Sequence, residues 1–194
     1  MIDRIGFKGV SGTNGELYTE GLGNYSDIIS GLRLDSESTF QEYATAGDGL
    51  GMYKEIAKLY NAIVGKASGN SDFLSRVCVT SPTVFSLIAT TPFMVTPNGG
   101  ITTDTVMTYA QNVLNLTFFA TNQLIGMGSG STDRLILLNN DMTNMRLYIP
   151  NPLMFAPVTI KGFDYSIESK FSVAGVGINF NNAIGYLDNV AAAV

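Results

Sequence analysis

Asp133–Asp188, DRLILLNNDMTNMRLYIPNPLMFAPVTIKGFDYSIESKFSVAGVGINFNNAIGYLD, is the stretch whose reading decides the fold. Short apolar runs, Arg134–Leu138 and Met145–Ile149, alternate with Asn/Asp and Gly turns. From Tyr165 to Val173 the side chains Tyr165, Ile167, Ser169, Phe171 and Val173 share one side of an extended chain, and Ser166, Glu168, Lys170 and Ser172 the other. That period of two is the pattern of a half-buried strand. Pro150 and Pro152 are expected to break pairing, and Gly175-Val-Gly177 to turn the chain into Ile178-Asn-Phe180. The segment holds strands and turns, and no cluster of catalytic residues.

Upstream the pattern changes to helices. Tyr53, Ile56, Ala57, Tyr60, Ile63 and Val64 recur at helical spacing, with Lys54, Glu55, Lys58 and Asn61 opposite and Gly65 as the stop. A strand is predicted over Arg76–Thr80. A helix then opens at Ser81-Pro82, Ser as N-cap and Pro at the first helical position, and runs to about Thr90. A third helix, capped by Asp104 or Thr103, runs through Leu114, and Leu116–Ala120 reads as a strand. Thr91–Thr102, with two prolines and two adjacent glycines, and Gly126–Ser131 read as loops. Residues 1 to about 35 read as turns and short strands. The sum is α+β, helices flanking a sheet, followed by a long hairpin-like C-terminal section.

Composition narrows function. The chain has 194 residues and a net charge of −5, and only 14% of its residues are charged, against about 25% in typical domains. A polar but uncharged surface suits protein–protein contact, because buried Lys and Glu cost entropy and desolvation. The basic residues stand singly, so no stripe exists to grip phosphates. There is no histidine, which removes the commonest general base and transition-metal ligand. Cys78 is the only cysteine, so no intrachain disulfide forms, and its place in Arg76-Val-Cys-Val-Thr80 reads as a small core residue. Met1-Ile-Asp-Arg carries no signal-peptide pattern, and no apolar run is long enough to span a bilayer. The compartment expected is the cytoplasm, or wherever an assembled particle goes.

The motifs weaken on inspection. Gly47-x-Gly49-x-Gly51 precedes a helix, whose N-terminal amides bind anions. It lacks the preceding strand and glycine spacing of a dinucleotide site, and no Walker-type Gly-Lys-Ser/Thr occurs. It reads as a flexible loop feeding a helix. Asp48, Glu55, Asp104, Asp133, Asp141, Asp164 and Glu168 could supply acid–base chemistry, but each has a plainer role in a cap, a turn or a solvated face. No catalytic, cofactor or metal site is expected. Phe93, Met94, Met154 and Phe155 lie beside loop prolines, where burial within one chain is hard to secure. With Gly126, Met127 and Gly128 they are the candidate subunit-contact residues.

The order Ser81-Pro-Thr-Val-Phe-Ser-Leu-Ile-Ala, Thr117-Phe-Phe-Ala-Thr-Asn-Gln-Leu, Thr132-Asp-Arg-Leu-Ile-Leu-Leu, Met145-Arg-Leu-Tyr-Ile-Pro-Asn-Pro and Gly175-Val-Gly-Ile-Asn-Phe-Asn-Asn-Ala-Ile-Gly-Tyr-Leu-Asp resembles the major capsid proteins of tailed bacteriophages, prophage-type, whose fold encapsulin shells share. Gly21-Leu-Gly-Asn24 is similar to a turn found before a helix in the prophage-type family. The resemblance runs from about Gly21 to Val190 and rests on layout more than on an invariant signature. It implies peripheral-domain strands over 1–47, an axial domain over 48–149 and returning strands over 150–194. The family's N-terminal arm, extended loop and spine helix find no place before Gly21, so the chain is expected to be the C-terminal part of such a protein, a cleaved product, a prophage remnant or an expression fragment. The implied function is structural rather than enzymatic. Subunits form hexamers and pentamers of an icosahedral virion shell, assembled in a bacterial cytoplasm, beside other virion proteins. Packaged DNA is touched weakly or by confinement, and no membrane is involved. Thr91–Thr102 and Gly126–Ser131 are the loops expected at the axial contacts. The alternatives are an encapsulin nanocompartment subunit, a carboxylate-based cytosolic enzyme and a phage tail binding module.

Overall fold

Arg76–Thr80 sits inside a five-stranded sheet and is flanked on both sides by other strands. The computed structural model describes residues 10–11, 17–19, 32–66, 76–94, 104–139, 145–148, 151–155, 158–161, 164–166, 169–172, 175–178 and 184–192. Among these the strands are β1 (Val10–Ser11), β2 (Leu17–Thr19), β3 (Arg33–Asp35), β4 (Arg76–Thr80), β5 (Leu116–Ala120), β6 (Leu135–Asn139), β7 (Met145–Tyr148), β8 (Asn151–Phe155), β9 (Thr159–Lys161), β10 (Asp164–Ser166), β11 (Ser169–Ser172), β12 (Gly175–Ile178) and β13 (Ile184–Asp188). The helices are α1 (Phe40–Ala46), α2 (Gly49–Lys66), α3 (Pro82–Thr90) and α4 (Val106–Leu114).

The sheet order is β3-β13-β6-β4-β5. β3 runs parallel to β13 and β5 parallel to β4, while β6 is antiparallel to both β13 and β4. The register lines up Gly185, Leu137, Cys78 and Phe118 on one face and Tyr186, Ile136, Val79 and Phe119 on the other. The first face packs under the helices, with Met52, Ile56, Leu59 and Ile63 of α2, Val84 and Ile88 of α3 and Val106 and Ala110 of α4 in one buried cluster. The second face holds a smaller cluster of Val79, Leu124, Ile136, Leu138, Ile184 and Tyr186. Two buried faces explain why β6 and β13 read as continuous apolar runs.

α2 lies so close over β13 that a Cβ on Gly185 would come within 2.8 Å of Ile63 Cδ1 and 2.9 Å of Leu59 Cδ1. Its buried line is Met52, Glu55, Ile56, Leu59 and Ile63, displaced from the predicted Tyr53–Tyr60 stripe, whose aromatic rings are half-buried. The displacement follows from α1 and α4 both packing on this helix, which buries more than one stripe. The helix also runs past Gly65 to Lys66.

Local signals account for the other helices. Ser81 Oγ accepts from the Val84 N–H at 3.3 Å, with Pro82 at the first helical position, as the sequence predicts. The cap of α4 is Thr105, whose hydroxyl accepts from the Thr108 N–H at 3.3 Å, rather than Asp104 or Thr103. α1 was not foreseen. Thr39 and Glu42 form a reciprocal capping box around its first turn, with Thr39 N–H to Glu42 Oε2 at 2.8 Å. Gly47 ends α1 at φ 69°, and Gly49 already belongs to α2, so the Gly47-x-Gly49-x-Gly51 stretch is a helix-to-helix joint and not a free loop.

The section between β6 and β13 departs from its sequence reading. β7 pairs with β12, β8 with β11 and β9 with β10, all antiparallel and in the nested order of the two arms of one long hairpin. Within the predicted strand Tyr165–Val173, β10 and β11 are extended and pair with β9 and β8 of the opposite arm, and residues 167, 168 and 173 lie outside the described residues. Gly175 and Gly177 are strand residues opposite Tyr148 and Arg146, not a turn. Pro152 lies within β8. Asn151 pairs with Ser172 and Met154 with Lys170, so Pro152 and Leu153 face a single residue, and this bulge accommodates a proline that cannot donate to the ladder. β3 and β13, one from each flank of the helical region, complete the sheet, and Phe40 of α1 shares its main core.

Candidate functional site

The glycine-rich stretch after β5 is held by its neighbours in the fold. A short 3-10 turn, Asn122–Leu124, follows β5, capped by Thr121 Oγ1. Gly126 at φ 67° and Gly130 at φ 64° take the left-handed conformation that glycine adopts at little cost. The Gly126 N–H donates to Asp133 Oδ1 at 3.0 Å, and the Gly128 N–H to the Thr132 carbonyl at 2.7 Å. The Ser129 N–H donates to Asp188 Oδ2 at 3.1 Å, and the Asp133 N–H to the Ala191 carbonyl at 2.7 Å. A Cβ on Gly128 would stand 2.8 Å from the Asp133 carbonyl oxygen. The loop is thus tied to the chain that leaves β13, and only its tip, Ser129–Ser131, is exposed.

Beneath it lies a buried ion pair. Arg134 Nε meets Asp188 Oδ1 at 2.6 Å and Nη2 meets Oδ2 at 2.8 Å, with both side chains buried. The Arg134 guanidinium also stacks over Tyr186, 4.5 Å from the ring centroid. Asn189, next in the chain, takes φ 57°, donates from its Nδ2 to the Ser36 carbonyl at 2.9 Å and donates its N–H to Thr132 Oγ1 at 3.1 Å. One junction therefore fixes the glycine loop, the end of β13 and the exit from β3.

The candidate contact residues fall in different settings. Phe93 is buried within the chain, stacked on Tyr109 with centroids 3.7 Å apart and edge-on to Tyr53. Burial raises the Tyr53 hydroxyl pKa, with smaller contributions from Tyr109 and Tyr60. The Phe93 N–H donates to the Asp104 carbonyl at 2.9 Å and the Val106 N–H to the Thr91 carbonyl at 3.0 Å. Thr91–Met94 is therefore a bound strap across the start of α4; residues 95–103 lie outside the described residues. Met94 is exposed. Gly126 and Gly128 are half-buried, and Met127 packs against the second-face cluster. Met154 and Phe155 sit in β8 opposite Lys170 and Ser169, and their side chains lie outside the described residues.

The candidate carboxylates fall in different settings. Asp48 Oδ1 accepts from the Gly51 N–H at 2.8 Å. Glu55 is buried and accepts from Lys58 Nζ at 2.9 Å and from the Tyr43 hydroxyl at 3.4 Å. Asp104 is exposed, and Asp133 holds the Gly126 amide. Asp164 lies in β10, and Asp141 and Glu168 lie outside the described residues. Among the described residues no group of three or more Cys, Asp or Glu side chains is placed to hold a metal ion, and no helix is long and apolar enough to cross a membrane.

The sequence reading did not single out three exposed apolar side chains, Val113 at the end of α4, Phe119 on β5 and Ile125 just before the glycine loop. The signal was present: no charged residue occurs from Thr105 to Thr132.

A sheet under helices, a long nested hairpin and a pinned glycine loop define an α+β architecture. The sequence profile described as "Major capsid protein" matches residues 53–190, more than half of the chain, and the chain belongs to that family. Among solved structures, the capsid of Myoviridae Phage XM1 is similar at 27% identity and a TM-score of 0.73, covering 96% of this chain and 59% of that one. The holo-SrpI encapsulin complex from Synechococcus elongatus PCC 7942 is similar at 14% identity and a TM-score of 0.50, covering 89% of this chain and 57% of that one. The latter is a likeness of fold. The chain thus spans less than two thirds of the length of either protein. No curated protein sequence matches.

Proposed function

We propose that this chain is the larger part of a tailed-phage major capsid subunit, with a structural and not an enzymatic role, which assembles with copies of itself into the hexamers and pentamers of a shell around DNA. The observation that carries the reading is the likeness to the Phage XM1 capsid over 96% of the chain. The charge pattern supports it. At a net charge of −5 with single, scattered basic residues, the chain is built to confine nucleic acid rather than grip it. Many weak contacts acting together suffice to close a shell. The exposed tip Ser129–Ser131, fixed from below by Asp133 and Asp188, is the contact loop near the capsomer axis in this reading.

The test is to express the longest reading frame that contains this chain and to examine the product by negative-stain microscopy and nuclease protection. Shells that protect DNA are the expected result. Shells that hold protein cargo and no DNA would replace the phage reading by the encapsulin one. Discrete small oligomers and no shell would overturn both. Removal of Gly126–Ser131 is expected to abolish capsomer rings while β6 and β13 still fold.

A further inference from the structure

We infer that the outer edge of the five-stranded sheet, strand β5 with its exposed Phe119, is a seat for a second copy of this chain. The inference rests on the shell-subunit reading and places one of its contacts. Across the second face of the sheet, the register makes a row of Tyr186, Ile136, Val79 and Phe119. Their exposure is 0%, 0%, 6% and 53%, so the apolar row is covered until it reaches the edge and then runs out into solvent. The cover is supplied by Leu124 and Met127, which pack over the inner members.

The two edges of the sheet are built differently. β3 is three residues long, and its Arg33 and Asp35 are exposed charges. Short length and charge are the usual protections of a free edge. β5 is five residues, Leu-Thr-Phe-Phe-Ala, paired with β4 in unbroken register and, among the described residues, with nothing on its other side. It has no charge, no proline and no bulge. A strand edge left open in this way is a template for another chain.

Charge identifies the occupant. From Thr105 to Thr132, covering α4, β5 and the glycine loop, the chain has no ionisable acid or base other than the Tyr109 phenol, although its net charge is −5. Elsewhere two copies of an acidic chain bring like charges within the screening length of about 8 Å. Here they do not, and a basic or acidic partner would find no charge to pair with. Three of the exposed apolar side chains, Val113, Phe119 and Ile125, fall within this charge-free stretch. The edge therefore fits a second copy of the same chain, which meets it through backbone hydrogen bonds and the Phe119 ring.

The test uses the 194-residue chain itself. A photoreactive benzoyl-phenylalanine replaces Phe119, whose half-exposed ring leaves room in solvent for the added benzoyl group, and circular dichroism checks that the variant is folded. Near-ultraviolet irradiation is expected to give a covalent dimer whose crosslink maps to this chain. In parallel, Phe119→Glu is expected to raise the concentration needed for self-association by about tenfold or more, as a loss of about 1.4 kcal/mol or more does. Thr45→Glu, which adds the same charge at an exposed position on α1, is expected to leave association unchanged. If the chain associates, no crosslink forms at position 119 and Phe119→Glu associates normally, the seat is overturned and the shell reading stands. If the crosslink forms but the longest reading frame never closes shells, the seat stands and the shell reading falls. A chain that is monomeric at every concentration, or a crosslink to a different protein, overturns the seat.

Discussion

Arg134 and Asp188 face each other as a bidentate pair, 2.6 and 2.8 Å between their nitrogen and oxygen atoms, although 54 residues separate them. Both are buried, and the same carboxylate also receives the Ser129 amide. Removing one member strands the other's charge away from water, which costs about 3–5 kcal/mol. Asp188→Ala is therefore expected to lower the urea midpoint without changing the slope, and to increase amide exchange at Ser129 more than at Val79. The double variant Arg134→Met with Asp188→Leu, which removes both charges together, is expected to recover much of that loss. An Asp188→Ala protein as stable as the parent would show that the pair carries no stability.

Gly185 is the place where α2 and β13 touch most closely. A methyl group there meets Ile63 Cδ1 at 2.8 Å and Leu59 Cδ1 at 2.9 Å, both ends of side chains that can shift. Gly185→Ala is thus expected to destabilise by about 1–3 kcal/mol, the usual cost of overpacking. Ile63→Val deletes the Cδ1 that clashes. Combined with it, Gly185→Ala is expected to cost clearly less than it does alone, a coupling that chemical denaturation of the four proteins in a double-mutant cycle measures.

These two sites also mark the limits of what the chain shows as text. Ser81-Pro82 announced α3 to the residue because cap and first-turn proline are local signals, and β4 and β5 were legible from their short apolar runs. β3 falls in the region read as turns and short strands, but its place at the sheet edge is set by Tyr186–Asp188 at the far end of the chain. α1 hid because seven residues carry too little periodicity, although Thr39 and Glu42 spelled its capping box. Arg134 and Asp188 each flank an apolar run, which hints at burial but not at each other. Of the candidate contacts, Phe93 is buried in a ring cluster formed with α2 and α4, which only tertiary packing reveals. Phe119 lies in the apolar run Leu116–Ala120, and only the sheet order shows that it stands at an edge.

Acid should loosen the link between α2 and the turn before α1. Lys58 Nζ lies 2.5 Å from Glu37 and 2.9 Å from Glu55. The hydrogen bond from Lys58, and then its charge, lower the Glu37 pKa, and the same carboxylates raise that of Lys58. A carboxylate depressed in the folded state adds stability above its unfolded pKa, and that increment is lost as pH falls through the folded value. A lysine raised in the folded state adds stability below its unfolded pKa and loses it as pH rises through the folded one. Carboxyl NMR titration is expected to place Glu37 below an ordinary glutamate, and Lys58→Met to return it to the ordinary range. Because the pair is exposed, added salt is expected to shrink the difference. A Glu37 midpoint indifferent to Lys58→Met would refute the pairing in solution.

Thr105 decides where α4 starts, because its hydroxyl accepts the Thr108 N–H at 3.3 Å while its backbone bridges to Pro92. Thr105→Ala removes the acceptor and keeps the backbone, so it is expected to cost about 0.5–2 kcal/mol. Thr105→Ser retains the hydroxyl and is expected to restore most of the loss. The two substitutions separate capping from packing, since both delete the same methyl group. The strap Thr91–Met94 rides on this helix start through the Val106-to-Thr91 hydrogen bond, so the Ala variant is also expected to speed exchange at the Phe93 and Val106 amides. If Thr105→Ser is as destabilised as Thr105→Ala, the methyl group and not the cap holds α4 in place.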